Sequence, residues 1–252
     1  MAMVREHDAL VLFCKPPERS KQRLVPALGE RRTAELAGRL LDCALEDLAG
    51  WPGSAVLAPA DVGDGVWAAG LGLESAGILC QRGGNLGERL NDIDLRLRDE
   101  GYRKRLYIGI DCPLLGVPSL TAAASALDEA DVVLGAAEDG GVVFMGTGPG
   151  WPPLADLPWS TERLAEALAG ACEAAGLRVR WLGRWPDVDR AADLGALAAA
   201  LGDDARPARR RLRDWLGDRL DDRADDRADD RLEDGLDDRL QRQEYGQRQD
   251  GQ

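Results

Sequence analysis

Leu106-Tyr107-Ile108-Gly109-Ile110-Asp111-Cys112-Pro113 is an apolar run that stops on a carboxylate and a proline. Its length and its flanking turn residues read as a β-strand, Leu106–Ile110, with Asp111 at its carboxyl end. Outward from it, similar runs occur at Ala9–Cys14, Ser54–Ala58, Gly77–Cys80, Asp131–Leu134, Val142–Met145 and Val179–Leu182. Helical spacing appears between them: Ala37, Leu40, Leu41, Ala44 and Leu48 share one face, as do Leu86, Leu90, Ile93 and Leu97. This alternation predicts an α/β fold, a mostly parallel mixed sheet flanked by helices on both faces. Such sheets bind ligands outside the carboxyl ends of their strands.

Composition narrows the function. The 252 residues carry 45 acidic and 32 basic side chains, one histidine and a net charge of −13. That charge argues against nucleic acid or an anionic membrane as partner. There is no apolar run of about 18 residues, and the first residues lack the pattern of a signal peptide, so the chain reads as cytoplasmic. Cys14, Cys43, Cys80, Cys112 and Cys172 form no CxxC pair, which disfavours a disulfide framework or zinc knuckle; most of them read as small buried residues. With His7 the only imidazole, Ser-His-Asp and Cys-His mechanisms have no base. The expected division is a catalytic body over 1–202, a docked helix within 203–217 that buries Leu212, Trp215 and Leu216, and a tail over 218–252. The tail repeats Asp-Asp-Arg-Ala/Leu, as in Asp221-Asp222-Arg223-Ala224. A period of four stacks like charges at i,i+4, so the tail reads as disordered or a fraying, solvated helix.

Four strand ends carry the candidate chemistry. The first opens Lys15-Pro16-Pro17-Glu18-Arg19-Ser20-Lys21-Gln22-Arg23, four bases in nine residues of an acidic chain. Bases on a stiffened loop there are suited to phosphates, although the stretch matches no P-loop and equally describes a solvated loop. Asp111 is placed to hold Mg²⁺ or Mn²⁺ beside substrate phosphates, or to cap its own turn. Asp139-Gly140-Gly141 offers a further carboxylate and close backbone approach, or a plain β-turn. In Asp187-Val188-Asp189 the two carboxylates share a side of an extended segment and could converge on one cation with Asp111; Asp189 could instead cap the following helix. Ser160 or Thr161 is expected to cap a helix, and Trp159 is expected to be buried.

Taken in order, Lys-Pro-Pro…Lys-Gln-Arg-Leu (15–24), Gly-Gly-Asn-Leu-Gly-Glu-Arg-Leu (83–90), Gly-Ile-Asp-Cys-Pro (109–113), Leu-Gly-Ala-Ala-Glu-Asp-Gly-Gly (134–141), Trp-Ser-Thr-Glu (159–162) and Asp-Val-Asp…Asp-Leu (187–194) resemble the bacterial glycosyltransferase-like family called selenodomain-associated transferase 1. That family is similar to the nucleotidyltransferases of coenzyme F420 and molybdenum-cofactor synthesis and shares their GT-A, nucleotide-diphospho-sugar transferase fold. The resemblance implies that Lys15, Lys21 and Arg23 lie at nucleotide phosphates. It places Asp111 at the metal, with Asp187 or Asp189 as a second contact, and Asp139, Gly140 and Gly141 on the acceptor side. The phosphate loop is shorter than the family's, with Gln22 for its threonine, and Asn85 and Val142 replace its usual Asp and Tyr. The implied function is metal-dependent transfer of a glycosyl or nucleotidyl group from a nucleotide-sugar or nucleoside triphosphate to a small acceptor. Nucleotidyl transfer with release of pyrophosphate, and a non-catalytic nucleotide-binding scaffold, are the alternatives.

Overall fold

A computed structural model describes residues 7–218. Among these, seven strands form one sheet: β1 (Asp8–Cys14), β2 (Ser54–Pro59), β3 (Gly77–Ile78), β4 (Lys104–Ile108), β5 (Val132–Ala137), β6 (Val142–Thr147) and β7 (Val179–Trp185). Their order is β3-β2-β1-β4-β6-β5-β7. β6 runs antiparallel to both of its neighbours, and every other pair is parallel. Each expected strand is present. The third is cut to two exposed residues at the sheet edge. Leu79 and Gln81 still donate N–H groups to Leu57 O and Pro59 O at 2.9 Å, but Pro59 has no N–H to give to a ladder.

Among the described residues, eight α-helices surround the sheet: α1 (Val25–Leu28), α2 (Glu30–Gly50), α3 (Gly65–Ala69), α4 (Leu86–Asp99), α5 (Val117–Ala126), α6 (Leu164–Ala174), α7 (Asp193–Leu201) and α8 (207–218). Strand side chains alternate between two cores, as a period of two requires. Leu10 and Leu12 of β1 join Leu106, Ile108, Leu41 and Leu120 against α2 and α5. Ala9 and Val11 join Tyr107, Leu134, Ile93 and Leu168 against α4 and α6. Leu86 departs from the expected helical face and is exposed. Leu90, Ile93 and Leu97 are buried as expected, and Gly87 rather than Leu86 continues their face, because α4 meets Leu154 so closely at Gly87 that a Cβ there would lie 2.1 Å from Leu154 O.

Asp94 on that face is a buried carboxylate. It accepts hydrogen bonds from Arg105 Nε (2.8 Å) and Tyr107 Oη (2.7 Å), while Arg105 Nη1 donates to the carbonyls of Tyr102, Arg103 and Gly148 at 3.0–3.1 Å. Burial, together with the Asp94 charge, raises the Tyr107 pKa well above its ordinary value, so Tyr107 is a permanent donor.

A third core lies at the carboxyl edge of the sheet. It contains Leu36, Leu40 and Cys43 of α2, Leu194, Leu197 and Leu201 of α7, and Ala208, Leu212, Trp215 and Leu216 of α8. Leu212, Trp215 and Leu216 are all buried. The tail repeat, from residue 219 on, lies outside the described residues. No helix among the described residues is long and apolar enough to cross a membrane.

Candidate functional site

β1, β4, β5 and β7 are mutually aligned, so their carboxyl ends share one edge of the sheet, where antiparallel β6 begins. The segments leaving that edge carry Lys15 to Arg23, Asp111, Asp139 and Asp187 to Asp189. Three of them send one apolar side chain into the third core: Leu24 after the bases, Ile110 before Asp111, and Val188 between Asp187 and Asp189. Burying these anchors fixes the polar residues beside them at the surface of the edge. The Val188 N–H donates to Asp111 O (3.0 Å) and the Glu138 N–H to Trp185 O (3.1 Å), tying β7's extension to the segments after β4 and β5.

Lys21 sits at the centre of this edge. Its backbone is left-handed (φ 51°) and opens a 3-10 turn, Gln22–Leu24, whose last residue is the Leu24 anchor. Its ammonium pairs with Asp111 and Val188 O and lies 2.8 Å from Asp189 Oδ1, and the side chain is only 5% exposed. Burial acts to lower the Lys21 pKa, and the charges of Asp111 and Asp189 more than offset it, so the net shift is upward. Arg23, which is exposed, reaches the other oxygen of Asp189 at 3.1 Å. Burial acts to raise the Asp189 pKa, but Lys21 and Arg23 bring it below the ordinary carboxylate value.

Beside this clasp, carboxylate oxygens of Asp139, Asp187 and Asp189 lie within 4.8 Å of one another. Asp187 has no base of its own: burial, then the charges of Asp139 and Asp189, push its pKa up to about 6. A cleft of ≈ 200 Å³ opens here, lined by Glu138, Asp139, Asp187, Asp189, Arg190 and Asp193. Three hard oxygen donors at such spacing suit a small divalent cation such as Mg²⁺ or Mn²⁺.

The strand ends thus bring together Lys21, Arg23, Asp111, Asp139, Asp187 and Asp189. The grouping differs from the expected one: Asp111 faces Lys21, and Asp139 takes the third place beside Asp187 and Asp189. Lys15 is exposed, and Arg19 pairs with Asp61 (2.8 Å) and Asp64 at the end of β2. Gly140 (φ +89°) is packed so tightly that a Cβ would lie 2.0 Å from Glu162 O. The Gly141 N–H donates to Asp139 Oδ1 (2.8 Å), a turn that leaves the other carboxylate oxygen of Asp139 outside this bond. Two local expectations are corrected. Neither Asp187 nor Asp189 caps α7; Asp193 accepts from the N–H groups of Asp189 (2.9 Å) and Arg190 (2.6 Å), which leaves Asp189 to the bases. Ser160 and Thr161 lie in the turn before α6, whose cap position is Arg163, with Thr161 Oγ1 accepting weakly from the Arg163 N–H at 3.4 Å. Trp159 is half-buried and donates to Leu154 O (2.9 Å). Asn85 caps α4 in a reciprocal pair with Glu88, the structural role of the position where the resembled family has Asp. Burial pushes the Cys14, Cys43 and Cys112 thiols up to about 12, which removes thiolate chemistry there at neutral pH.

Sequence reasoning missed Arg209. It is fully buried and donates to Pro113 O (2.9 Å) and Leu115 O (3.0 Å), just beyond Asp111, and to Glu46 (2.9 Å) and Asp47 (2.5 Å) of α2. Its signal was an arginine on the same face of α8 as Leu212 and Leu216.

The unpaired charge of Asp187 has a measurable consequence. Its folded pKa, about 6, exceeds the ordinary carboxylate value, so folding is penalised as pH rises through that window and the penalty is absent below it. Asp187→Asn is therefore expected to raise Tm at about pH 7.5 and to leave it unchanged near pH 3.5. Calorimetry at both pH values checks this; an equal shift at both would show that the charge is not the cause.

No curated protein sequence matches the chain. Residues 49–161 match the profile of a family described as an uncharacterized protein conserved in bacteria (DUF2064). Among solved structures, the chain is similar to a Desulfovibrio desulfuricans G20 protein ascribed to the nucleotide-diphospho-sugar transferases. Identity is 24%, the TM-score is 0.74, and the match covers 84% of this chain and 96% of that one. It is also similar to CMP:2-keto-3-deoxy-manno-octonic acid synthetase solved with CTP, at 12% identity and a TM-score of 0.52, covering 78% of this chain and 99% of that one. The chain thus has an α/β fold like that of nucleotide-diphospho-sugar transferases, with its acidic cluster at the carboxyl edge of the sheet.

Proposed function

We propose that this protein is a divalent-metal-dependent transferase that binds a nucleotide-sugar or nucleoside triphosphate and transfers its glycosyl or nucleotidyl group to a small acceptor. The observation that carries the reading is the convergence of Asp139, Asp187 and Asp189 within 4.8 Å beside Lys21 and Arg23. Asp187 and Asp189 would hold Mg²⁺ or Mn²⁺, with Asp139 completing the set or remaining on the acceptor side. When bound, the metal supplies charge neutralisation at the pyrophosphate or nucleoside-diphosphate leaving group. Lys21 and Arg23, held by Asp189, provide fixed positive charge beside it, and Lys15 adds an exposed base. Asp139 is the carboxylate suited to take the proton of the acceptor hydroxyl, because no imidazole lies in this edge. Gly141 lets the acceptor approach the backbone, while Gly140 is taken up by its packing against Glu162. Asp111 orients Lys21.

Isothermal titration with Mg²⁺ or Mn²⁺ and a panel of nucleoside triphosphates and UDP-, GDP- and dTDP-sugars tests the reading. Metal-dependent heat with at least one member is expected, and no heat with any would sink it. A product assay then separates the two chemistries: nucleoside diphosphate marks glycosyl transfer, pyrophosphate nucleotidyl transfer. Binding without either product would favour a non-catalytic nucleotide-binding protein.

A further inference from the structure

Asp111 meets Lys21 only if the segment between β4 and α5 is held in place, and that segment has no regular structure. Pro113 and Leu115 within it are buried, so their carbonyls need partners inside the protein. Arg209 of α8 supplies them. Its Nε donates to Pro113 O (2.9 Å) and its Nη2 to Leu115 O (3.0 Å), while Nη1 donates to Cys43 O of α2 (2.5 Å). Arg206, one turn earlier, adds a second bond to Leu115 O (2.6 Å). Glu46 and Asp47 of α2 accept from the Arg209 guanidinium, so one planar group joins α8, α2 and the Asp111 segment.

We propose that Arg209, assisted by Arg206, is the positioning residue of Asp111, which makes the C-terminal helix a working part of the carboxyl-edge site; this rests on the reading of that site given above. Apolar residues of similar volume in place of the whole Arg209, Glu46 and Asp47 cluster could fill the space and preserve stability. They would not satisfy the carbonyls of Pro113, Leu115 and Cys43 at once. The rigid fork of arginine does, and it fixes the angle between α2 and the segment. With the fork removed, the Asp111 segment relaxes, and Lys21 loses one wall of its clasp.

The chain's three lysines report on this directly. Lys15 is exposed, the Lys21 side chain is 5% exposed in the clasp, and that of Lys104 is 17% exposed against Asp128. Acylation of the full chain with an acetyl succinimidyl ester, followed by peptide mass spectrometry, gives the rate at each lysine without any metal or nucleotide. In Arg209→Gln the Lys21-to-Lys15 rate ratio is expected to rise about tenfold, the population shift that one lost charge-assisted hydrogen bond produces, with Lys104 unchanged. Arg206→Gln is expected to give a smaller rise of roughly threefold, and it carries the test if Arg209→Gln does not fold. Leu168→Ala, in the core on the other face of the sheet, serves as a variant destabilised without touching the segment and is expected to leave the ratio alone. A ratio that moves no further in the arginine variants than in Leu168→Ala would overturn the proposal. If the ratio shifts as expected but the wild type gives no heat in the titration, the transferase reading fails and the positioning role stands. If the wild type gives heat and the ratio does not move, the positioning role fails and the transferase reading stands.

Discussion

Asp94→Ala is expected to cost about 3–5 kcal/mol of unfolding free energy, because it leaves the Arg105 guanidinium buried without its counter-ion. The pair is among the most enclosed in the protein, with side-chain exposures of 1% for Arg105 and 4% for Asp94. Arg105 keeps its three carbonyl acceptors in the variant, and these neutral partners do not compensate the charge. Urea unfolding should show the midpoint falling, and Tm should drop by roughly 2–4 °C for each kcal/mol in a chain of this size. The double variant Asp94→Ala/Arg105→Met is expected to recover much of the loss, since it removes the stranded cation as well. A single variant costing less than about 1 kcal/mol, the net worth of an ordinary hydrogen bond, would mean that Arg105 finds another anion or water.

Asp189→Asn is expected to weaken Mn²⁺ binding by roughly 100-fold or more, equivalent to about 2.7 kcal/mol. One side chain there serves two purposes: it belongs to the Asp139, Asp187 and Asp189 cluster, and it is the shared acceptor of Lys21 and Arg23. The substitution removes a hard anionic donor and at the same time leaves Arg23 without its carboxylate and Lys21 with Asp111 alone, so more positive charge stands uncompensated beside the cation. Titration at low ionic strength reads the loss. Asp111→Asn should cost less, because Asp111 faces Lys21 rather than the cluster. The opposite ranking would move the metal to the Lys21 side of the edge.

The sheet was legible because β1, β4 and β5 are buried on both faces, so their apolar runs are nearly unbroken. β7 was read as far as Leu182 but reaches Trp185, since Gly183 and Arg184 interrupt the run on an exposed edge strand. The strand-end aspartates were legible as short carboxylates following apolar runs. Their partnerships were not. Extended geometry relates Asp187 to Asp189, but nothing local says that Asp139 rather than Asp111 completes the set; that depends on how far apart β4, β5 and β7 lie, with β6 inserted between β4 and β5. Buried charge was the other blind spot. Lys104-Arg105 reads as a polar strand start, yet Arg105 shares a face with Tyr107 and turns inward to Asp94.

The Lys21–Asp189 pair joins residues 168 positions apart, and Arg209 meets Cys43 across 166. Closing loops of that size costs chain entropy before any contact repays it, so contacts of this span form late in folding. A chain still emerging from the ribosome, even with all strands through β6 complete, would carry the bases of the first loop without Asp189 to hold them. The anchors Leu24 and Ile110 would equally lack the third core, which α7 and α8 complete. Synthesis of the last described helix is thus the step at which a folded sheet acquires its site.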